Sequence, residues 1–112
     1  QKEIKDASVI AELFRVIEKR KEAEPEESYV AHLFSKGVPK IAAKIHEEAA
    51  ELISAAKRDG KKEIIHELCD LWFHTLVLLG YKGINIEDVF KELSKRSGTS
   101  GLEEKASRKK ED

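Results

Sequence analysis

Apolar residues recur at helical spacing along most of the chain, and no stretch alternates apolar with polar residues as a half-buried strand would. The first amphipathic stretch spans residues 8–22, and a short second one begins at a candidate cap, Ser28, and ends near Gly37. Pro39 suits the first turn of a long third stretch, which closes at Gly60. The buried positions predicted for the second and third stretches are Tyr29, Leu33, Phe34, Ile41, Ile45, Ala49, Leu52 and Ala56.

A fourth predicted helix spans residues 61–82 and is apolar on most of its circumference, which is typical of a central helix. Gly83 ends it, and Asn85 can cap a fifth helix. The chain beyond that helix is polar, with almost nothing to bury. We therefore predict one all-α domain of four to five helices over residues 1–95, followed by a polar, basic C-terminal tail over residues 96–112.

Charge and composition narrow the function classes. The 21 basic and 22 acidic side chains nearly cancel, so nothing favours a nucleic-acid or membrane surface spread over the whole molecule. No run of about 18 apolar residues and no signal-peptide pattern occurs, which predicts a cytoplasmic protein. The single cysteine, Cys69, cannot form an intramolecular disulfide, and its apolar surroundings predict a buried thiol.

Five carboxylates stand at regular spacing on the two longest predicted helices. The third helix carries Glu47, Glu48 and Glu51 as EExxE, and the fourth helix carries Glu67 and Asp70 as ExxD. At about 100° per residue, Glu48 falls inside the edge of the apolar stripe and Glu51 lies beside it, whereas Glu47 turns toward solvent. A short antiparallel connection would set the two acidic faces opposite each other.

On the fourth helix, Glu67, Asp70 and His74 share one narrow face of an otherwise apolar cylinder. Burial of several carboxylates side by side is costly, because each charge loses hydration and like charges raise one another's pKa. A divalent cation removes that cost, and oxygen ligands favour Mg²⁺, for which Mn²⁺ could substitute. The alternative is a solvated helix face in which Lys44 and Lys57 pair with the glutamates. For His74, the alternative is a buried ring that a neighbouring group satisfies.

The EExxE and ExxD motifs together resemble the metal motif of the MazG-like nucleotide pyrophosphohydrolases, an all-α superfamily. The flanking segments are similar to the phosphoribosyl-ATP pyrophosphatase family: SYVAHLFSKG at 28–37, KIHEEAAELISAAK at 44–57, ELCDLWFHTLVLL at 67–79 and SGLEEKASR at 100–108. This resemblance implies hydrolysis of phosphoribosyl-ATP to phosphoribosyl-AMP and pyrophosphate, the second step of histidine biosynthesis. It also implies a homodimer whose helices complete each other's MazG-like bundle.

By position, the resemblance assigns the metal ligands to Glu48, Glu51, Glu67 and Asp70. Glu47 becomes a ligand of a second metal or the base that positions a water molecule. The resemblance also implies that the basic tail, with Arg96, Lys105 and Arg108, binds the substrate phosphates. Independently of it, Lys36 and Lys44 recur with Lys40 at helical spacing and could contact phosphate, although each could equally be an ordinary surface lysine. His46, His66 and Cys69 depart from the residues usual in the family, which affects packing or substrate fit rather than a proposed ligand.

Two other functions fit the same acidic pattern. One is a house-cleaning pyrophosphatase that acts on a nucleoside triphosphate such as dCTP or dUTP. The other is a noncatalytic helical dimerisation module whose acidic stripe merely binds cations. Packing also predicts a partner chain, since the fourth helix carries more apolar side chains than the short helices of one chain can cover. These side chains include Trp72, Phe73, Leu76 and Leu79.

Overall fold

The computed structural model describes residues 3–98, and all the regular secondary structure in this part of the chain is helical. A short 3-10 turn at Arg20–Glu22 extends the first of the α-helices. The α-helices are α1 (Ser8–Lys19), α2 (Tyr29–Lys36), α3 (Val38–Lys57), α4 (Lys61–Lys82) and α5 (Ile86–Ser97). The prediction of an all-α fold with four to five helices is therefore confirmed.

The helix ends form where the sequence offers caps and residues that tolerate a left-handed backbone. Ser28 caps α2, because its side-chain oxygen accepts a hydrogen bond from the backbone N–H of Ala31 at 3.2 Å. After α3, Asp59 takes a left-handed φ of 58°, and the backbone N–H of Gly60 bonds back to the carbonyl of Ala55. The chain reverses within this short turn, so α3 and α4 are antiparallel neighbours.

Every helix contributes to one hydrophobic core. Its buried members are Phe14 and Ile17 from α1, Val30 and Leu33 from α2, Ile41 from α3, Leu76 and Val77 from α4, and Ile86 from α5. Within the described residues, α3 and α4 make the most extensive contact between any two helices. This pair is therefore the frame that holds the carboxylates of both helices in place.

Three expectations about burial are wrong. Cys69 on α4 and Ala56 on α3 are exposed, and Tyr29 at the start of α2 keeps 47% of its surface exposed. For Cys69 the reason is the shape of the bundle. The helix α4 is apolar on most of its circumference, but the other helices of one chain cover only part of it, so Trp72 is also 49% exposed.

The last helix extends past the predicted domain boundary at residue 95. Since α5 continues to Ser97, Arg96 lies in its last turn rather than in a tail. Lys105 and Arg108 lie outside the described residues. Over residues 3–98, none of the helices combines the length and the apolar character needed to cross a membrane.

Candidate metal centre

The predicted carboxylate ligands of α3 and α4 come together in the structure. Carboxylate oxygens of Glu48, Glu51 and Glu67 all lie within 4.8 Å of one another. Glu67 also belongs to a second group, in which its oxygen and the ligand atoms of His66 and Asp70 lie within 4.8 Å of one another. We call the four carboxylates, Glu48, Glu51, Glu67 and Asp70, the acidic face.

The acidic face is partly withdrawn from water. Glu48 is only 5% exposed, and Oε1 of Glu67 is buried with no hydrogen-bond partner among the described residues. Desolvation raises the pKa of Glu48, and the charges of Glu51 and Asp70 raise it further. Desolvation and the adjacent Glu51 carboxyl also raise the pKa of Glu67. These carboxylates therefore destabilise one another when all are ionised and no cation neutralises them.

This set of side chains fits a hard divalent cation. Carboxylate oxygens are the ligands that Mg²⁺ and Mn²⁺ prefer in proteins. A cation between α3 and α4 would give Oε1 of Glu67 a partner and would offset the repulsion among the carboxylates. Among the described residues, Glu48, Glu51 and Glu67 could hold such a cation together, and Asp70 offers a further carboxylate next to Glu67.

Glu47 precedes the acidic face on α3 and is exposed, as its helical position predicts. Its Oε2 accepts a hydrogen bond from Nζ of Lys44 at 3.0 Å, and this contact lowers the pKa of Glu47. The same contact raises the pKa of Lys44. Glu47 is therefore ionised at neutral pH, and its carboxylate can orient a water molecule or accept a proton from it.

His66 also belongs to this site, although the sequence pattern did not mark it as a site residue. Its Nε2 lies 3.3 Å from Oδ2 of Asp70, one helical turn further along α4. The spacing of four residues between them is the sequence signal that could have found this pair. Because His66 is exposed, the pair lies at the solvent edge of the acidic face.

A second contact of this region joins α2 to α4. Oη of Tyr29 lies 2.8 Å from Nε2 of His74, and Nδ1 of His74 lies 2.7 Å from the backbone carbonyl oxygen of Asp70. His74 is 6% exposed and both ring nitrogens have partners, which confirms the interpretation of a buried histidine satisfied by its neighbours. The apolar pattern assigned Tyr29 to the core, so no sequence signal marked it as part of this region.

Most of the chain matches known proteins of one family. The family model for phosphoribosyl-ATP pyrophosphohydrolase matches residues 10–97. The chain belongs to this family. The phosphoribosyl-ATP pyrophosphatase of Geobacter metallireducens is 50% identical over 103 residues, which cover 92% of this chain and 94% of that relative. Proteins of the same name from Chromobacterium violaceum and Neisseria gonorrhoeae are 52% and 48% identical, each over 101 residues that cover 90% of this chain and 94% of the relative.

The basic residues predicted to bind the substrate phosphates do not all lie at one place. Lys44 lies at the acidic face, where its charge lowers the pKa of Glu48 against the larger effect of desolvation. Lys36 is exposed in the last turn of α2. Arg96 contacts a glutamate on its own helix, with a nitrogen–oxygen distance of 3.4 Å. Among the described members of this set, the contacts of Lys44 give it the strongest link to the site.

Proposed function

We propose that this protein hydrolyses phosphoribosyl-ATP to phosphoribosyl-AMP and pyrophosphate, the second step of histidine biosynthesis. The observation that carries the proposal is the acidic face, where Glu48 and Glu67 hold carboxylate oxygens away from water. Relatives that are 50% and 52% identical carry the name phosphoribosyl-ATP pyrophosphatase. A cation held by these carboxylates would also attract the charged phosphates of such a substrate, which suits the cleavage of a phosphate anhydride.

The proposed cofactor is Mg²⁺, for which Mn²⁺ could substitute. Its ligands would be Glu48, Glu51, Glu67 and Asp70. Such a cation would supply positive charge that offsets the charge of the substrate phosphates and makes a water molecule more acidic. The two helices contribute by keeping the carboxylates at a set separation, because α3 and α4 pack along an extended contact.

We assign Glu47 to the attacking water. Its carboxylate is ionised, because the hydrogen bond from Lys44 lowers its pKa, and it is exposed, so water can reach it. A carboxylate with a lowered pKa is a weak base, but it need only orient and deprotonate a water whose acidity is already increased. The family also implies another role for Glu47, as a ligand of a second metal. In that role, Glu47→Gln should weaken metal binding.

Contacts to the substrate phosphates are proposed for Lys36, Lys44, Arg96, Lys105 and Arg108. Lys44 has the strongest support, because it pairs with Glu47 next to the acidic face and its charge acts on Glu48. Replacement of each residue by Gln should raise KM, and the difference from the unmodified protein should shrink at high salt. A residue whose replacement leaves KM unchanged at all salt concentrations does not belong to this set.

We also propose that the protein is a homodimer. An apolar groove of about 470 Å³ runs between α1, α4 and α5, and Trp72, Leu79 and Leu93 contribute to its walls. Trp72 and Leu93 are 49% and 56% exposed in the single chain, so a partner could bury them. Sedimentation velocity at micromolar concentration should show a dimer. A stable monomer with full activity would rule the dimer out.

Pyrophosphate release from separate substrates tests the proposed reaction. The purified protein is incubated with Mg²⁺ and phosphoribosyl-ATP, dCTP or dUTP in parallel, and we expect release from phosphoribosyl-ATP. Release from dCTP or dUTP alone would instead indicate a house-cleaning pyrophosphatase. A tight dimer without any turnover would indicate a noncatalytic module. Since the proposed substrate is an intermediate of amino-acid biosynthesis, we expect the enzyme in the cytoplasm.

A further inference from the structure

The contact between Tyr29 and His74 links an exposed side chain to a buried one next to the acidic face. Tyr29 is 47% exposed, whereas His74 is 6% exposed and lies one helical turn after Asp70 on α4. Phe73 stacks on the Tyr29 ring at a centroid distance of 6.2 Å, and the His74 ring meets it edge-on at 5.7 Å. The phenol is therefore held by three contacts, two to its ring and one to its hydroxyl.

The directions of the hydrogen bonds follow from the partner of Nδ1. A backbone carbonyl can only accept, so the carbonyl of Asp70 requires the hydrogen of a neutral His74 ring to be on Nδ1. Nε2 then carries a lone pair and accepts the hydrogen of the Tyr29 hydroxyl. Desolvation raises the pKa of Tyr29, so this hydroxyl keeps its hydrogen at neutral pH. The Tyr29 oxygen can therefore accept further hydrogen bonds but has no hydrogen left to donate.

The Tyr29 hydroxyl also lies within electrostatic reach of the proposed active site. The charges of Lys44, Glu48, Glu47 and Asp70 all act on it. A phosphate group at neutral pH offers mainly acceptor oxygens, which an oxygen without a free hydrogen cannot bind. The nucleoside part of a nucleotide, in contrast, offers donors in its ribose hydroxyls and base N–H groups.

We propose that Tyr29 is a specificity-determining residue that accepts a hydrogen bond from the nucleoside part of the substrate, and that His74 is the positioning residue that fixes this direction. The inference rests on the proposed function, because it takes the substrate to be a nucleotide bound at the acidic face. Under this proposal, different residues of the site bind different parts of the substrate. Lys44 and a cation held by the carboxylates bind the phosphates. Tyr29 binds the nucleoside to which the phosphates are attached.

The main test compares ligands with and without a nucleoside. Binding of ATP and of inorganic pyrophosphate, each with Mg²⁺, is measured by calorimetry for the unmodified protein and for Tyr29→Phe. We expect Tyr29→Phe to weaken ATP binding by about 5- to 20-fold and to leave pyrophosphate binding unchanged. Tyr81→Phe is the matched control, because Tyr81 is also exposed but stacks on Phe34 instead, and it should change neither affinity.

Deoxynucleotides distinguish the two sources of the donor. If the donor is a ribose hydroxyl, either 2′-deoxy-ATP or 3′-deoxy-ATP should bind the unmodified protein as weakly as ATP binds Tyr29→Phe. That deoxynucleotide should then lose no further affinity in Tyr29→Phe. If both deoxynucleotides still lose affinity in Tyr29→Phe, the donor is a base N–H group. Either result supports the proposal.

Substitutions of His74 test its positioning role. His74→Gln keeps an acceptor oxygen near the position of Nε2, so it should retain ATP affinity within about twofold. His74→Asn keeps only a donor near the position of Nδ1, so it should lose as much ATP affinity as Tyr29→Phe does. Equal losses in both variants would remove this role from His74. Should either variant fail to fold, the Tyr29 comparison still decides the main proposal.

Two results would overturn the assignment of Tyr29. One is unchanged ATP binding and unchanged KM for phosphoribosyl-ATP in Tyr29→Phe, and the other is an equal loss of ATP and pyrophosphate affinity, which would indicate a phosphate contact. Failure of the proposed function looks different. In that case the unmodified protein would not release pyrophosphate from phosphoribosyl-ATP, whatever residue stands at position 29.

Discussion

The same two helices, α3 and α4, build both the hydrophobic core and the acidic face. At the core, Ile41 and Val77 are fully buried and contribute stability. At the acidic face, Glu48 and Glu67 are held where their charged forms are disfavoured, as their raised pKa values indicate. The contrast shows that burial has two different effects in one helix pair. It stabilises the fold at the core, and at the acidic face it raises the pKa of Glu48 and Glu67 and so disfavours their charged forms.

The sharpest test of this contrast is to remove single charges from the acidic face. Glu67→Gln and Asp70→Asn should each lower kcat/KM by about 1,000-fold or more, the scale expected when several kcal/mol of charge stabilisation are lost. Helicity and dimerisation should persist, because side-chain volume is nearly unchanged. Steady-state kinetics and circular dichroism measure the two effects.

The control for these variants is Glu18→Gln, which makes the same chemical change at an exposed position of another helix, α1. It should leave activity unchanged. Near-normal turnover in Glu67→Gln or Asp70→Asn would refute the assignment of the metal ligands.

The second test changes the core, where we expect a loss of stability and almost no loss of activity. Ile41→Ala should lower the free energy of unfolding by about 2 to 5 kcal/mol, because it leaves a cavity in a fully buried position. At low temperature, where the variant stays folded, kcat/KM should be nearly unchanged. Urea unfolding at one fixed protein concentration measures the loss.

Ile53 on the same helix is the matched control for Ile41, since it is 56% exposed. Ile53→Ala should change the free energy of unfolding by no more than about 0.5 kcal/mol. A large loss of kcat/KM in Ile41→Ala at low temperature would mean that the core and the acidic face are not separable.

The third test concerns Glu47, which is exposed beside the acidic face. Glu47→Gln should lower kcat by about 100-fold, the lower end of the range for loss of a general base, while Mg²⁺ still raises the melting temperature as before. Glu12→Gln is the matched control, because Glu12 forms a similar pair with Arg15 on α1. A reduced effect of Mg²⁺ on the melting temperature of Glu47→Gln would make Glu47 a metal ligand instead.

The smallest expected effect is a pH dependence of stability without metal. The pKa of Glu48 is raised above its ordinary value of 4.5, so the folded state binds more protons than the unfolded state as the pH rises from there. Ionised Glu48 should therefore destabilise the metal-free protein above about pH 5, and Glu48→Gln should become the more stable of the two as the pH is raised. Saturating Mg²⁺ should reverse this order, because it stabilises the unmodified protein more. Urea unfolding between about pH 4.5 and 8 measures the difference, and a constant difference across this range would contradict the assignment.

Much of the fold was predictable because the deciding interactions are local. The cap at Ser28 and the left-handed residue at Gly83 act within one helical turn, and both are where the sequence indicates them. The grouping of Glu48 with Glu67 was predictable for a related reason. Helical periodicity assigns each residue to a face, and a short turn between α3 and α4 leaves an antiparallel pair as the simple solution.

Other features of the structure depended on contacts between residues that are far apart in the sequence. The apolar ring of Tyr29 was assigned to the core, but the approach of His74 from α4 holds its hydroxyl at the edge of the acidic face. Cys69 follows the apolar pattern of α4 and is nevertheless exposed, because no pattern within one helix tells how much of its surface other helices cover. The sequence pattern did not mark His66 as a site residue, and the structure places its ring next to Asp70.

By itself, the sequence determined the all-α class, most helix ends and the presence of carboxylates on one face each of α3 and α4, because these depend on spacing and on backbone preferences of single residues. Only the tertiary structure decided that Oε1 of Glu67 is buried with no hydrogen-bond partner within residues 3–98, and that a carbonyl oxygen sets the direction of the hydrogen bond from Tyr29 to His74. These properties depend on distances and on lost hydration between residues far apart in the chain, and helical periodicity carries no information about either.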